Sequence, residues 1–431
     1  MKQTRSTWAA ATIVAVLQVS PLAHAQDGLP GVGNAAATKL ASSSPLVRSA
    51  YAQLLHHAKQ IGDDRLRQQT LDALGNPQTC IRHRENLTAA NKAALLQELI
   101  DAGLLSSADA AAFSGGALAG VFPPVLQDGT RCPQLPQPFL SAPGSAFGGH
   151  HSFPGGLSVH EHLNELSDLN LASVYRQNYG HSGLSGLPEV ATQPPSPRRS
   201  EVFLDQDVIV AAPLWHDWAK PIVFQWNADG SEFPEFNFGG NGATDNYGSA
   251  GDSRTGAHHI LGVAETIKRG LPPELVIAQA SAHSTPTSGT EYKVVNWLRA
   301  AALIAGVDPV AEGYLERDAA GQLRLPALRA LGEVDLNAAG QTNFLVEFPL
   351  HNLSDADFSC SGPAVSVIQI VLKTLAAEYG YDASQAAPYN LKYRNVALSH
   401  LSAERLLLVY SHAGLAGVRA ELNKLRARKL L

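Results

Sequence analysis

The stretch PLWHDWAK, residues 213–220, places a histidine and an aspartate side by side at the end of an apolar segment, with a lysine three residues later. Imidazole nitrogen and carboxylate oxygen are common ligands of Zn, Mn, Fe and Mg, so His216 and Asp217 could bind one metal ion together. A His-Asp pair is common in proteins. The surrounding sequence therefore decides how this one is interpreted.

Further histidines stand on both sides of this pair. The segment HHSFPGGLSVH occupies residues 150–160, AHHILG occupies 257–262, and SAH occupies 281–283. The candidate ligands lie at or near the ends of successive predicted helices: His160, His216, Asp217, His259 and His283. Helical proteins build metal sites in this way, with ligands from different helices meeting in one cavity. We therefore predict a metal site inside a helical bundle.

The first 25 residues are typical of an export signal. Lys2 and Arg5 precede an apolar run over residues 8–19, and AHA at 23–25 suits signal peptidase. The apolar run is shorter than the roughly 20 residues needed to cross a bilayer, and we expect no later segment to span one. We predict removal of residues 1–25 and a periplasmic or secreted protein without stable membrane insertion.

Composition and charge narrow the class of protein. The chain has 431 residues, of which 45% are hydrophobic and 16% charged, as in globular proteins. Loss of Lys2 and Arg5 with the signal changes the formal charge from −6 to −8, because the signal contains no acidic residue. This balance disfavours nucleic acid or an anionic membrane as a partner.

Cysteine usage is sparse. Cys80 and Cys132 could pair in an oxidising compartment, which would leave Cys360 buried or free. The chain has no Cys-x-x-Cys motif, so a structural zinc ribbon is excluded.

Apolar residues at three- and four-residue spacing predict a mostly α fold. The expected helices are 46–61, 64–74, 88–102, 106–112, 158–175, 205–218, 258–269, 272–282, 291–305, 363–379 and 402–430. Residues 26–44 are expected to be flexible, and 222–226 with 232–238 to form a small hairpin. We divide the chain into a signal (1–25), an N-terminal helical lobe with a Pro-rich connector (26–145), a metal-binding helical domain (146–310) and a C-terminal helical extension (311–431).

The order of the motifs resembles the HD superfamily of metal-dependent phosphohydrolases, over roughly residues 148–304. GGLSVH at 155–160 is similar to the Gly-Gly-Leu-x-x-His whose histidine is the first ligand. HDWAK at 216–220 is similar to His-Asp-x-Gly-Lys, with Ala219 in place of the usual glycine. His259 and His283 are similar to the two further histidines of binuclear members. The resemblance implies an HD-domain-like helical bundle with a small β-hairpin insertion and flanking helical lobes, holding one or two divalent ions (Mn, Fe, Zn or Mg).

One element departs from the family pattern. The last ligand of the family is an aspartate on the helix after the final histidine, and residues 291–305 contain none. Asn296 is the nearest polar substitute, although an amide oxygen is a weaker ligand than a carboxylate. Asp308, Asp355 or Asp357 could supply the carboxylate from a loop. The number and identity of the metal ions therefore stay open.

The resemblance implies hydrolysis of a small-molecule phosphoester by metal-activated water. Asp217 is the expected bridging ligand, and Lys220 could neutralise a phosphate oxygen. His151 or His150 could donate a proton to the leaving group. The other predicted substrate contacts are Arg254, from a glycine-rich loop, and His258.

Two other functions fit the same pattern. The same helical scaffold also resembles that of di-iron oxygenases that cleave C–C or C–P bonds. The identity of the bound metal would distinguish such an oxygenase from a hydrolase. Alternatively, the chain is a catalytically degenerate binding module that has lost the last ligand, in which case the purified protein would hold no metal.

Overall fold

Helices make up most of the chain, as the apolar spacing predicts. The computed structural model describes residues 31–179, 190–191, 202–240, 253–287, 289–328 and 342–431. The signal predicted at 1–25 lies outside the described residues, and so does most of the glycine-rich loop that precedes Arg254.

The helices follow one another through the whole described chain. They are α1 (Asn34–Ser43), α2 (Pro45–Ala58), α3 (Asp64–Gly75), α4 (Ala89–Asp101), α5 (Ser107–Ala112), α6 (Ala117–Val121), α7 (Gly156–Tyr179), α8 (Gln206–His216), α9 (Lys220–Val223), α10 (Ala257–Lys268), α11 (Pro273–Ala280), α12 (Glu291–Ala305), α13 (Glu347–Ser354), α14 (Phe358–Leu375), α15 (Ala386–Tyr389), α16 (Asn395–Leu401) and α17 (Ala403–Ala427). Short 3₁₀ turns lie at Arg82–Arg84, Phe139–Ser141, Asp355–Asp357 and Ala376–Tyr379, and a π turn at Asn390–Arg394.

The strands are two residues long and form three pairs. β1 (Val190–Ala191) pairs in parallel with β2 (Val202–Phe203), whereas β3 (Asn237–Phe238) with β4 (Thr255–Gly256) and β5 (Glu316–Arg317) with β6 (Leu323–Arg324) are antiparallel. In the predicted hairpin, an antiparallel bridge joins Trp226 to Glu232 around the 227–230 turn. Ile222 and Val223, the start of the predicted first strand, belong to α9 rather than to a strand.

Residues 26–44 are predicted to be flexible. Residues 26–30 lie outside the described residues, and for the rest the prediction is wrong, because α1 occupies residues 34–43. The side chain of Asn34 donates to the carbonyl of Pro136 at 3.0 Å and accepts from the backbone N–H of Trp226 at 2.9 Å. Ala37 and Ala41 of the same helix are also buried. Long-range contacts that the local composition does not show thus order this helix.

Helix α7 lies at the centre of the fold and packs against α2, α8 and α13. The largest core joins the predicted N-terminal lobe to helices α8–α12. A second core joins Ala41 and Val47 to residues of α14, α16 and α17. The N-terminal residues therefore contribute to both cores.

Helix α14 and its neighbours alter one expectation about membranes. The helical stretch Glu347–Tyr379 is long and apolar enough to cross a membrane by length and composition, although none was expected after the signal. Buried core helices pass the same test, and 44% of this window is buried inside the fold. Ala364, Val365 and Ile368 of this stretch pack in the second core.

A disulfide crosslinks the N-terminal lobe internally, and a buried carboxylate of α10 joins that lobe to the bundle. Cys80 and Cys132 form the disulfide, and Cys360 is free and exposed. Glu265 of α10 is wholly buried and accepts from the backbone N–H groups of Arg82 and His83, both at 3.1 Å. It also accepts from the guanidinium of Arg269 at 2.7 Å and lies 2.8 Å from Nδ1 of His83.

Glu265→Gln is expected to destabilise the fold by about 3 kcal/mol at pH 7, since it removes the buried carboxylate that pairs with Arg269 and leaves only the partly exposed Asp72 to balance that charge. Burial opposes ionisation of Glu265, but Arg269 and His83 outweigh it and lower the pKa of Glu265 from 4.5 to about 2. The folded pKa lies below the unfolded one. The contribution is therefore complete above about pH 4.5 and is lost as the pH falls towards 2.

Urea unfolding of Glu265→Gln and of the unmodified chain, at pH 7 and at pH 3, measures the difference in their free energies of unfolding. Glu378→Gln is the matched control, because its partner Arg419 is on the surface and the pair is exposed. Equal stability of Glu265→Gln and the unmodified chain at pH 7 would show that the buried network does not stabilise the fold.

Candidate metal centre

The site begins where the sequence forces a sharp turn. Gly155 has a φ of +86°, and a Cβ there would lie 2.4 Å from a methyl group of Val47. A Cβ on Gly156 would lie 1.8 Å from the carbonyl oxygen of His151. Only glycines fit this approach. The turn starts α7 and places His160 in its first turns, facing the interior.

Residues from three other parts of the chain meet around His160. His216 ends α8, Asp217 follows it, His258 lies in the first turn of α10, and His283 follows α11. The ligand atoms of His160, His216 and Asp217 lie within 4.8 Å of one another, and so do those of Asp217, His258 and His283. The structure thus brings together four of the five metal ligands expected from histidine and aspartate, with His258 in place of His259.

Asp217 belongs to both groups. Its Oδ2 lies 3.1 Å from Nε2 of His160 and 3.4 Å from Nε2 of His216. Its Oδ1 lies 3.1 Å from Nε2 of His258. One carboxylate therefore offers one oxygen to each group, which is the arrangement of a bridging ligand.

Asp355 supplies a second carboxylate. It lies in the 3₁₀ turn after α13, and its Oδ1 is 3.3 Å from Nε2 of both His160 and His216. Its Oδ2 is 3.9 Å from Nε2 of His283. A carboxylate that could replace the one absent from α12 therefore lies in a turn beyond residue 310, outside the predicted metal-binding domain.

The structure corrects the assignment of Asn296. Its amide donates to Oγ of Ser253 at 3.3 Å, and its Oδ1 accepts from Arg299 at 2.8 Å. These bonds engage both ends of the amide, so its oxygen already has a partner other than a metal ion. Asp308, another carboxylate considered from the sequence, is exposed and accepts from the backbone N–H of Val310.

The structure also exchanges the roles expected for the two adjacent histidines. His258, predicted as a substrate contact, faces Asp217, whereas Nε2 of His259 lies 3.2 Å from the carbonyl oxygen of Ala280. Adjacent residues of a helix point about 100° apart, so only one of them can face the cluster. The ring of His259 stacks on that of His283 at 4.2 Å and supports it from behind.

Each of the four histidines has a partner on the nitrogen that faces away from the cluster. Nδ1 lies 3.0 Å from Asp357 in His160, 3.0 Å from the Pro213 carbonyl in His216, 2.5 Å from Glu235 in His258 and 2.8 Å from the Thr255 hydroxyl in His283. An acceptor at Nδ1 would hold the proton there and leave the lone pair of Nε2 for a metal ion. This is the usual arrangement of metal-binding histidines.

The atoms inside the cluster fit a cation. Nε2 of His216, Nε2 of His258 and Oδ1 of Asp217 are buried and face opposite charges at 3.1–3.4 Å, but they make no well-directed hydrogen bond among the described residues. Buried polar atoms without such bonds are costly, and a bound ion would satisfy all three. Four imidazole nitrogens and two carboxylates form a ligand set that suits a borderline divalent metal.

Charge in the cluster is balanced by protons and by Lys220. Burial opposes ionisation of Asp217, but His216, Lys220 and His258 hold the pKa of Asp217 well below its usual range. Burial lowers the pKa of His258, but Glu235 and Asp217 outweigh it and raise that pKa to about 9. A bound cation would displace these protons, so metal affinity should fall as the pH falls.

A cavity of about 660 Å³ opens onto the cluster and is lined by His150, His160, Asp217, Lys220, His258 and Asp355, among others. The ammonium group of Lys220 is buried and contacts the Asp217 carboxylate and the carbonyl of Gly144. Four of the six predicted catalytic and substrate residues therefore line the cavity: Asp217, Lys220, His150 and His258.

Two other predicted residues lie elsewhere. His151 is wholly buried, and its Nε2 lies 2.8 Å from Asp357 and 3.0 Å from the Ser361 hydroxyl. It does not line the cavity, so the structure corrects its role from proton donor to a partner of Asp357. Arg254 is exposed and is not among the residues that line the cavity.

The support of the histidines by Asp357 and Glu235 was not predicted. From the sequence, Asp357 was considered only as a possible last ligand, whereas it lies beside Nδ1 of His160. Glu235, which precedes β3 and lies beside Nδ1 of His258, was not considered. Nothing in the sequence near Glu235 distinguishes it from a surface carboxylate.

Comparisons with protein-family models, with curated proteins and with solved structures found no match to this chain.

Proposed function

We propose that this chain is a metal-dependent phosphohydrolase of the HD-superfamily type, acting on a small-molecule phosphoester. The observation that carries the proposal is the position of Asp217, whose two oxygens face two separate sets of histidines. Two adjacent cation sites that share a carboxylate suit phosphoester hydrolysis better than simple structural metal binding.

The first ion would be held by His160, His216, Asp217 and Asp355, and the second by Asp217, His258 and His283. Divalent ions bound there would lower the pKa of a bound water and neutralise phosphoryl oxygens. The reaction consumes water and releases an alcohol and phosphate. Water attacks phosphorus, the P–O bond to the leaving group breaks, and the departing oxygen takes up a proton.

Lys220 would stabilise negative charge on the phosphoryl group. Burial lowers the pKa of Lys220, but Asp217 outweighs it and raises that pKa, so the ammonium stays charged. His150 is a poorer proton donor than the sequence analysis expected. Burial, His160 and Lys220 lower its pKa to about 2, so it is neutral at pH 7 and suited to a hydrogen bond with the substrate.

The test is hydrolysis of p-nitrophenyl phosphate in ¹⁸O-labelled water under argon, with protein loaded with Mn²⁺. We expect one ¹⁸O atom in each phosphate released, because the nucleophile is water. Oxygen-dependent turnover with iron, and none under argon, would favour the oxygenase instead. A protein that takes up no metal after reconstitution would favour the degenerate binding module.

A further inference from the structure

The walls of the cavity differ in character from its floor. The floor carries the cluster, whereas the walls and mouth carry Phe147, Phe224, Leu353 and Phe358. Leu353 is 57% exposed and Phe358 is 55% exposed, so both apolar side chains stand at the entrance in contact with solvent. We call these two residues the apolar lip. Large apolar side chains that rim a binding cavity often contact a ligand.

Phe147 is held in place from behind. The guanidinium of Arg394 lies 4.3 Å from the centre of its ring, and Arg394 is itself buried and bonded to the carbonyl and hydroxyl of Ser152. A cation over one face of the ring fixes that ring. Phe147 therefore presents a fixed apolar surface to the cavity, opposite in character to the charged floor.

Positive charge beyond the cluster is scarce. Among the described residues that line the cavity, Lys220 is the sole lysine or arginine, and Asp217 already pairs with it. A polyphosphate or a second acidic group on the substrate would need further cations to offset its desolvation. The walls instead suit a leaving group without charge.

We propose that the substrates are phosphomonoesters whose leaving group is apolar, with the phosphate at the cluster and the alkyl or aryl group against Phe147, Phe224 and the apolar lip. This inference rests on the proposed function for the orientation of the substrate. Alkyl and aryl phosphates both have an apolar leaving group, and the experiment below distinguishes between them.

The test is calorimetric titration of the Mn²⁺-loaded protein with methyl-, butyl-, octyl- and phenylphosphonate, which bind without being hydrolysed. Affinity is expected to rise about fourfold for each methylene that the cavity covers. Phe358→Ser should flatten this dependence on chain length. Ile370→Ser is the matched control, because Ile370 is 68% exposed on the same helix but does not line the cavity.

The outcomes separate the two proposals. Equal affinity for methyl- and octylphosphonate, tighter binding of pyrophosphate, or equal effects of Phe358→Ser and Ile370→Ser would overturn the apolar substrate. Preference for either octyl- or phenylphosphonate over methylphosphonate would support it and identify the kind of leaving group. If the phosphonates bind in the expected order but none of the matching phosphates is hydrolysed, the proposed function fails while the assignment of the cavity stands.

Discussion

Asp217→Ala is expected to remove bound metal and turnover together, with a loss of at least about 10³-fold in kcat. Both candidate cation sites depend on Asp217, since its Oδ2 faces His160 and its Oδ1 faces His258. The measurements are metal content by mass spectrometry and the rate on a phosphomonoester, with circular dichroism as the check on folding. Asp217→Asn, which keeps the volume of the side chain, covers the case in which the alanine variant does not fold.

Lys220→Ala is the matched control for this variant. It removes a charge that contacts the same carboxylate but is not a metal ligand. We expect its metal content to match that of the unmodified protein and its kcat to fall about 10²-fold, the size of effect seen when one group that stabilises transition-state charge is removed. If Asp217→Ala retains full metal content and rate, the resemblance to phosphohydrolases is misleading about the mechanism.

Asp355→Asn is expected to weaken metal binding by about 10²-fold or more and to reduce turnover with it, because a neutral amide replaces a carboxylate that faces three histidines. This residue and Asn296 are alternative candidates for the last ligand. Asn296→Ala should leave metal content unchanged, because that side chain faces Ser253 and Arg299.

The two variants are compared by titrating Mn²⁺ into metal-free protein. A larger loss of affinity in Asn296→Ala than in Asp355→Asn would restore the assignment made from the sequence. It would also mean that the turn at 355–357 does not reach the cluster in solution.

The helices of the bundle were largely predictable, because their local signals agree with their packing. Helix α12 spans 291–305 as the apolar spacing predicts, and Thr88, the first residue of the predicted helix 88–102, caps α4. Helix α1 was not predictable, because Asn34 is held by Pro136 and Trp226, which are distant in sequence. Glycine, alanine and serine in that segment give no local sign of such contacts.

The part of the site that the order of the motifs indicates was predictable. His160, His216, Asp217 and His283 meet as the order of their motifs indicates. The choice between His258 and His259 was not predictable, because the helical period gives the angle between neighbouring side chains but not which of them faces inward. Asp355 comes from a turn far along the chain, and only the packing of α13 on α7 brings it to the cluster.

Anomalous X-ray diffraction at the manganese edge, from crystals of the Mn²⁺-loaded protein, tests the central claim most directly. We expect two peaks that share Asp217: one bounded by Nε2 of His160 and His216, the other by Nε2 of His258 and His283. Ligand distances near 2.0–2.2 Å are expected for such ions. The absence of any peak between these side chains, in crystals grown with saturating Mn²⁺, would contradict the metal centre and the function built on it.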